Sequence, residues 1–414
     1  MTRTVIHGGA VFDGIARGSR PATVVLEDGL IAEVLDDGPV PAGDVTIDAS
    51  GATVLPGLTN AHVHLSFMYM TGDVSKVLTR ADADLYAHAF RVAKVLLAQG
   101  ITLARDMAGP RGIHLAVRDI IKDGRLLGPT VIACGSPLVA SGRHAWSVCA
   151  EADGPDEMIA AVRHQFKAGA DFIKLMASDD PVVAPDGTHT LPGFSPEEVA
   201  AAYAEVRRHG ALACCHVMGE EAIRTVLDNG ADIIDHGHYL TDELARRMAA
   251  DGVYLTPTIS SYDVQTAHPR FDRGKDWADR HAPLIPPHKS AVRAAVDAGV
   301  KMLVGTDTVG CYAEEVALLR EAGVDPHDSL LACTRWPAEA FRMADRHGTI
   351  APGLRADIAI VDGDPLADPY ALERVRQVIK GGELYESAQL VADERRYRTN
   401  IWELALSPKP ADAD

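Results

Sequence analysis

Two histidines separated by one residue, His62 and His64, follow a short apolar segment, residues 55–60, whose composition is typical of a β-strand. Side chains at positions i and i+2 of a strand point to the same side, so both imidazoles would project from one face. Imidazole is a common ligand for zinc and similar ions. A His-x-His pair alone fits two unrelated surface histidines equally well, so the other apolar segments must decide between these interpretations.

Four further apolar segments end on residues that could bind a metal ion: Lys174, His216, His236 with His238, and Asp307. Lys174 directly follows Phe-Ile, where a buried ammonium is costly unless it has a partner or is chemically converted. Reaction with CO₂ would turn it into a carboxylate that can bridge two ions, although a lone lysine more often extends to solvent or to an Asp. Each residue alone is a weak signal, but five strand ends carrying such residues together indicate one shared site.

The segments that end on these residues alternate with stretches of helical length, among them residues 85–98, 155–168 and 196–209. Eight apolar segments can be counted between residue 55 and residue 304, and this repeat predicts a parallel (β/α)8 TIM-like barrel. The carboxyl ends of all strands of such a barrel open on one face, where active sites lie. The fold would therefore bring the candidate ligands together at the barrel mouth.

Both ends of the chain differ from the middle in composition. They contain short apolar or β-branched runs separated by Gly-rich, Asp-Gly and Asp-Pro turns, a pattern typical of antiparallel strands. We therefore predict a small composite β-sandwich domain from residues 1–56 and 348–407, with the barrel, residues 57–347, inserted between its halves. The Pro/Ala/Asp-rich tail, residues 408–414, is predicted to be disordered.

The charge balance excludes several classes of partner. The chain has a formal net charge of −18, and such a surface would repel both nucleic-acid phosphates and anionic membranes. The first residues lack the apolar run of a signal peptide, and no apolar stretch reaches the length of about 18 residues that a transmembrane helix needs. We expect a cytoplasmic protein that acts on a small molecule.

Three motifs in this order resemble those of the amidohydrolase superfamily, in the branch of binuclear metal peptidases and imidazolonepropionase-like hydrolases. They are Val54-Leu-Pro-Gly-Leu-Thr-Asn-Ala-His-Val-His64, Thr102-Leu-Ala-Arg-Asp106 and Gly348-Thr-Ile-Ala-Pro-Gly-Leu-Arg-Ala-Asp357-Ile-Ala-Ile-Val-Asp-Gly-Asp-Pro365-Leu. The resemblance covers nearly the whole chain and is to Xaa-Pro and related dipeptidases in particular. Members often form dimers or larger assemblies, so the resemblance also allows a homo-oligomer.

The resemblance implies two divalent metal ions. One would be held by His62, His64 and Asp307, the other by His216 and His236, and carboxylated Lys174 and a hydroxide would bridge them. Zinc is the expected metal, although these ligand types also accept manganese, cobalt or iron. We prefer His236 to His238 because it directly follows the Ile-Ile-Asp run, where the family places this ligand, but His238 would point the same way.

The implied reaction is hydrolysis of an amide C–N bond in a small substrate such as a dipeptide or an N-acyl amino acid. Asp307 would take the proton of the bridging hydroxide and pass it to the leaving nitrogen as general base and acid. His144 and Tyr239 match positions that contact substrate in relatives, and Arg143 could pair with a substrate carboxylate. For Tyr239, an ordinary loop tyrosine is an equally good interpretation.

Three points stay open at the level of sequence. A cyclic-amide or imidazolone hydrolase or a deaminase could use the same fold. Mononuclear relatives typically lack a lysine at the position of Lys174 and use a Glu just after the histidine that corresponds to His216. This chain has Lys174, and it also has Glu220 four residues after His216. A non-catalytic scaffold should have lost ligands, whereas all six ligand positions here carry competent residue types. The loop over residues 177–195 should overhang the site, either as a specificity lid or as surface decoration.

Overall fold

A computed structural model describes residues 2–67, 78–180, 191–267, 275–307, 310–397 and 400–407. The predicted tail and most of the predicted 177–195 loop lie outside these residues. None of the described helices combines the length and apolar character that crossing a membrane requires.

The chain begins with strands that belong to a different sheet from those in its middle. The strands are β1 (Arg3–His7), β2 (Ala10–Val11), β3 (Arg20–Glu27), β4 (Leu30–Asp36), β5 (Val45–Asp48), β6 (Ala52–Pro56), β7 (Leu58–Val63), β8 (Ile101–Asp106), β9 (Thr130–Ala133), β10 (Leu138–Val139), β11 (Ala150–Glu151), β12 (Ile173–Met176), β13 (Ala213–Val217), β14 (Ile233–His236), β15 (Tyr254–Thr256), β16 (Ile358–Asp362), β17 (Val375–Lys380) and β18 (Glu383–Glu386).

Helices separate the middle strands and follow the last of them. The α-helices are α1 (Asp82–Ala98), α2 (Ile113–Lys122), α3 (Pro155–Lys167), α4 (Pro196–Arg208), α5 (Glu220–Asp228), α6 (Asp242–Asp251), α7 (Ile259–Ala267), α8 (Lys275–His281), α9 (Ile285–Ala298), α10 (Tyr312–Glu321), α11 (Pro326–Cys333), α12 (Arg335–Ala340), α13 (Ser387–Leu390) and α14 (Ile401–Ala405). Short 3₁₀ helices cover Pro110–Gly112, Trp146–Val148, Ala282–Leu284, Pro369–Glu373 and Glu394–Arg396.

The middle strands form a curled parallel sheet that closes on itself. β7, β8 and β9 pair in sequence, as do β12, β13, β14 and β15. A bridge between Cys134 and Phe172 joins the two groups, and a bridge between Leu255 and Met302 adds an eighth segment. The Ala61 amide then donates to the Val304 carbonyl at 2.8 Å, which closes the ring. This mixed α/β architecture is the one that the repeat predicts, although the predicted strand at residues 302–304 is reduced to a single bridge.

Side chains from almost every strand of the ring fill its interior. This cluster contains Ala61, Leu103, Cys134, Phe172, Cys214, Ile233 and Leu303, all buried. A larger cluster lies between the strands and the surrounding helices. The interior is therefore a packed core, and a site can form only above it, at the carboxyl ends of the strands.

Strands from both ends of the chain form one nine-stranded sheet, in the order β18-β17-β16-β6-β2-β3-β1-β5 with β4 paired to β3. The predicted strand over residues 55–60 proves to be two strands, since β6 belongs to this sheet and β7 to the ring. Gly57 separates them, and a Cβ there would lie 2.0 Å from Thr102 Oγ1, so only glycine fits. A two-layered sandwich and the exact domain boundaries remain predictions.

Candidate active site

Three of the predicted ligands converge at the mouth of the ring. One possible ligand atom from each of His62, His64 and Asp307 lies within 4.8 Å of the other two. Asp307 Oδ1 is 3.2 Å from His62 Nε2 and 3.3 Å from His64 Nε2. The ends of β7 and of the eighth segment are locked together because the Asp307 amide donates to the His62 carbonyl at 2.8 Å. Closure of the ring thus creates this group.

Two other predicted ligands, His216 at the end of β13 and His236 at the end of β14, lie beside the first group. Their ring centroids are 4.6 Å apart, and the ring of His236 is 5.1 Å from that of His62. The Nε2 atoms of His62 and His216 are buried and form no hydrogen bond among the described residues, although Asp307 Oδ1 lies 3.2 Å from His62 Nε2. Buried polar atoms are normally satisfied, so these orphaned nitrogens fit a metal ion as the missing partner.

Hydrogen bonds fix which nitrogen each imidazole presents. His62 Nδ1 donates to Asp235 Oδ1 at 2.9 Å, and His64 Nδ1 donates to the Ala108 carbonyl at 2.9 Å. His236 Nδ1 lies 2.8 Å from Thr258 Oγ1, whose own proton is donated to the Pro257 carbonyl, so the imidazole is the donor. In all three rings the lone pair is therefore left on Nε2, the arrangement that metal-binding histidines require.

Lys174, the sixth predicted ligand, lies on β12 and is 4% exposed. Among the described residues, no carboxylate forms an ion pair with it. Burial is the largest cause of the lowered pKa values of His64, His216 and His236, and the charge of Lys174 is a further cause for each. The lysine therefore lies close enough to the histidines to lower their pKa values. A buried ammonium without a counter-charge at this position would destabilise the folded protein.

The electrostatic environment favours the neutral imidazoles of His64, His216 and His236 and the ionised carboxylate of Asp307. Burial lowers the pKa of His64 to about 4 and those of His216 and His236 well below their usual value. Burial raises the pKa of Asp307, but His62 and His64 outweigh it and hold the pKa well below its usual range. Neutral imidazole and ionised carboxylate are the protonation states that bind a metal ion.

The backbone is strained at two of the predicted ligands. The φ angles are 74° at His236, 56° at Asp307 and 55° at Thr258, all in the left-handed region that non-glycine residues rarely adopt. Such residues cost of order 1–3 kcal/mol each and concentrate at functional sites. Two of these three residues, His236 and Asp307, are therefore strained at positions that the sequence predicts to bind metal.

The structure also places side chains that sequence reasoning assigned no role. Asp235 supports His62, Thr258 supports His236, and Ser261 donates to Asp307 Oδ2 at 3.2 Å. A charged Asp235 inside an otherwise apolar strand, next to a ligand, was the one signal that could have identified a supporting residue. The two hydroxyls lie in a loop and helix whose position the sequence did not predict.

The predicted substrate-binding residues lie in different surroundings. The ring of His144 stacks on that of His216 at 5.0 Å, beside the candidate ligands. Arg143 pairs with Asp179 at 2.6 Å, so part of its guanidinium is already occupied. Tyr239 is partly exposed, and burial, followed by the charge of Asp180, raises its pKa. Their roles toward a substrate remain predictions.

His238 and Glu220, the residues of the alternative assignments, lie away from the convergence point. The ring of His238 is 6.4 Å from that of His236 and instead stacks on His288 at 3.7 Å. Glu220 is exposed at the start of α5 and pairs with Arg224 at 3.2 Å. This geometry favours His236 over His238 as the residue that β14 contributes to the site, and it gives Glu220 no contact with the site.

Comparisons with known proteins agree with this arrangement. A profile described as the amidohydrolase family matches residues 53–385. The chain is 28% identical to an ochratoxinase of Aspergillus niger, over 92% of this chain and 86% of the relative. It is 27% identical to an imidazolonepropionase of Salinispora tropica, over 88% of this chain and 92% of the relative.

A solved structure of a Xaa-Pro dipeptidase with bound methionine in the active site superimposes with a TM-score of 0.84. It is 28% identical and covers 93% of this chain and 100% of its own. The family profile covers the ring and almost all of four strands of the nine-stranded sheet, β6, β16, β17 and β18, and the converging residues lie within it. The chain therefore belongs to the amidohydrolase family, as a hydrolase that acts on carbon–nitrogen bonds.

Proposed function

We propose that this protein is a metal-dependent hydrolase that cleaves the amide C–N bond of a small substrate such as a dipeptide or an N-acyl amino acid. One observation carries the proposal: His62, His64 and Asp307 place ligand atoms within 4.8 Å of one another, beside His216 and His236. The buried Nε2 atoms of His62 and His216, which form no hydrogen bond among the described residues, and the carboxylate of Asp307 are suitable donors for a divalent cation.

We assign one ion to His62, His64 and Asp307 and a second to His216 and His236, with zinc as the metal. Lys174 would serve both after reaction with CO₂, and its burial without an ion pair to any carboxylate that the structure describes supports this conversion. When bound, such ions acidify a water molecule and polarise the carbonyl of the substrate.

Asp307 is proposed to move the proton of the reaction. Its Oδ1 faces the Nε2 atoms of His62 and His64, while its Oδ2 accepts a hydrogen bond from Ser261. An ionised carboxylate in this position can take a proton from the water that attacks the carbonyl carbon. It can then donate that proton to the leaving nitrogen, which must depart as a neutral amine.

Residues near the predicted ligands would bind the substrate. His144, stacked on His216, could donate a hydrogen bond to the oxygen that gains charge as the carbonyl is attacked. Tyr239 is proposed as a second contact. Arg143 would bind a substrate carboxylate through the part of its guanidinium that Asp179 does not occupy.

The choice of an acyclic amide rests on the Xaa-Pro dipeptidase and ochratoxinase relatives. Hydrolysis of a cyclic amide or imidazolone is the second candidate, favoured by the imidazolonepropionase relative. A deaminase that relies on Glu220 is disfavoured because that carboxylate is exposed and paired with Arg224. We further propose a cytoplasmic location and assembly into a homo-oligomer.

A mass-spectrometric screen tests the proposal. The enzyme, supplied with zinc and bicarbonate, is incubated with pooled dipeptides, N-acyl amino acids and cyclic amides, alongside Asp307→Asn as a variant of nearly identical shape. We expect cleavage by the wild type and none by the variant, with unchanged circular dichroism. Equal cleavage by Asp307→Asn would refute the role of Asp307, and cleavage of cyclic amides alone would select the second candidate.

A further inference from the structure

Arg105 is a fully buried arginine at the centre of the ring, at the next-to-last position of β8. Its Nε donates to the Ala61 carbonyl on β7 at 2.5 Å, and its Nη2 donates to Asp235 Oδ1 on β14. A longer contact, 3.3 Å, reaches Thr256 Oγ1 on β15. One side chain therefore connects four strands of the ring directly beneath the candidate ligands.

The carboxylate oxygen that accepts a hydrogen bond from Arg105 also orients the predicted metal ligand His62. Asp235 Oδ1 accepts from both Arg105 and His62 Nδ1, the latter at 2.9 Å, and the side chains of all three residues are 0% exposed. An ionised carboxylate can only accept, so His62 must carry its proton on Nδ1 and keep the lone pair on Nε2. A rotation of the Asp235 carboxylate would remove this constraint.

Two aromatic rings lie within cation–π distance of the Arg105 guanidinium. Its guanidinium carbon lies 5.7 Å from the ring centroid of Phe172 and 5.5 Å from that of Phe341. A buried ion pair is weak evidence for a role in stability, because an apolar pair of similar volume is often at least as stable. Ion pairs and hydrogen bonds behind metal-binding histidines, by contrast, have a direct effect on metal affinity.

We infer that Arg105 is a positioning residue of the metal site: it holds Asp235, and through it His62, so that His62 Nε2 faces Asp307 and His64. The inference rests on the proposed function, since it assigns His62 to the metal. It predicts that changes at Arg105 or Asp235 weaken metal binding although neither side chain touches the metal.

The test measures zinc affinity of the full-length protein by competition with a chromophoric chelator. Both Arg105→Met and Asp235→Asn should bind zinc about 10- to 100-fold more weakly than the wild type. Asp357→Asn is the matched control, because Asp357 is a buried carboxylate paired with Lys380 at 2.7 Å in the nine-stranded sheet. That variant should lose stability but keep its zinc affinity. Wild-type affinity in folded Arg105→Met and Asp235→Asn would overturn the inference.

Arg105→Met leaves the Asp235 charge without its cation and could fail to fold. The double variant Arg105→Met/Asp235→Asn removes both charges together, and it should fold and show the same loss of affinity. A double variant that binds zinc like the wild type would overturn the inference.

A second measurement separates this inference from the proposed function. Nitrogen-15 NMR of the metal-free protein, with the His62 signals assigned by loss in His62→Gln, reports which nitrogen carries the proton. We expect the Nδ1–H tautomer in the wild type and a mixture in Asp235→Asn. If the wild type binds no zinc, the proposed function fails, and the NMR comparison alone tests the positioning role. The same tautomer population of His62 in the wild type and in Asp235→Asn would then overturn that role.

Discussion

Glu315, a fully buried carboxyl group on α10, holds the segment that carries two supporting residues of the site. It accepts hydrogen bonds from the amides of Ile259 at 3.0 Å and Ser260 at 2.7 Å, in the first turn of α7. Thr258 and Ser261, which contact His236 and Asp307, flank these amides. Glu315→Gln is therefore a change behind the site whose effect on stability should depend on pH.

The size of this pH-dependent change in stability follows from the pKa of Glu315. Burial raises the pKa of Glu315 from 4.5 to about 7, despite the hydrogen bonds it accepts. The folded state therefore holds this proton more tightly than the unfolded state between pH 4.5 and about 7, and stability falls as the pH rises through this window. At about 1.4 kcal/mol per pKa unit, ionisation costs the folded protein about 3 kcal/mol above the window and nothing below it.

Glutamine cannot ionise, so Glu315→Gln lacks this loss. For a chain of 414 residues the entropy of unfolding is about 0.9 kcal/mol per degree, which converts about 3 kcal/mol into about 3 °C of melting temperature. The melting temperature of the variant minus that of the wild type should therefore rise by about 3 °C between pH 4.5 and about pH 8.

The assay is differential scanning calorimetry of metal-free protein at several pH values, since metal binding is itself pH-dependent. Glu321→Gln, an exposed position at the end of the same helix, is the matched control and should show a constant difference from the wild type. If the difference in melting temperature between Glu315→Gln and the wild type is also the same at every pH, the reasoning is refuted. Such a result would mean that burial does not raise the pKa of this carboxyl group.

Two further predictions concern the metal site and the alternative chemistry. Lys174→Met should lower the zinc content measured by elemental analysis from two ions to one or none, and the zinc content should no longer respond to bicarbonate. The control variant Lys167→Met, at an exposed position, should change neither result. Two ions retained by Lys174→Met would contradict carboxylation of Lys174. Glu220→Gln should leave the steady-state rate of hydrolysis unchanged because this carboxylate is exposed and paired with Arg224, and a large loss of rate would instead support a deaminase-like mechanism.

The types and order of the candidate ligands could be predicted from the sequence because they follow short apolar segments, and parallel strands present their carboxyl ends on one face. In the structure, ligand atoms of His62, His64 and Asp307 lie within 4.8 Å of one another, and the role of these residues as ligands stays a prediction. The repeat of strands and helices likewise predicted the curled sheet, since its period is local. The length of the strand predicted at residues 302–304 was overestimated. A few individual hydrogen bonds hold this segment in the ring, and amino-acid composition does not reveal them.

Only the tertiary structure decided how the ligands are supported. Asp235 lies 173 positions from His62 along the chain, and Arg105 lies 130 from Asp235, so no local pattern connects them. The left-handed φ angles at His236 and Asp307 are imposed by contacts around the barrel mouth and contradict local preference. The sequence by itself thus determined which atoms are available to bind a metal ion, because residue types and strand periodicity are local properties. Which nitrogen each histidine presents, and in what direction, was decided by long-range hydrogen bonds that exist only once the ring has closed.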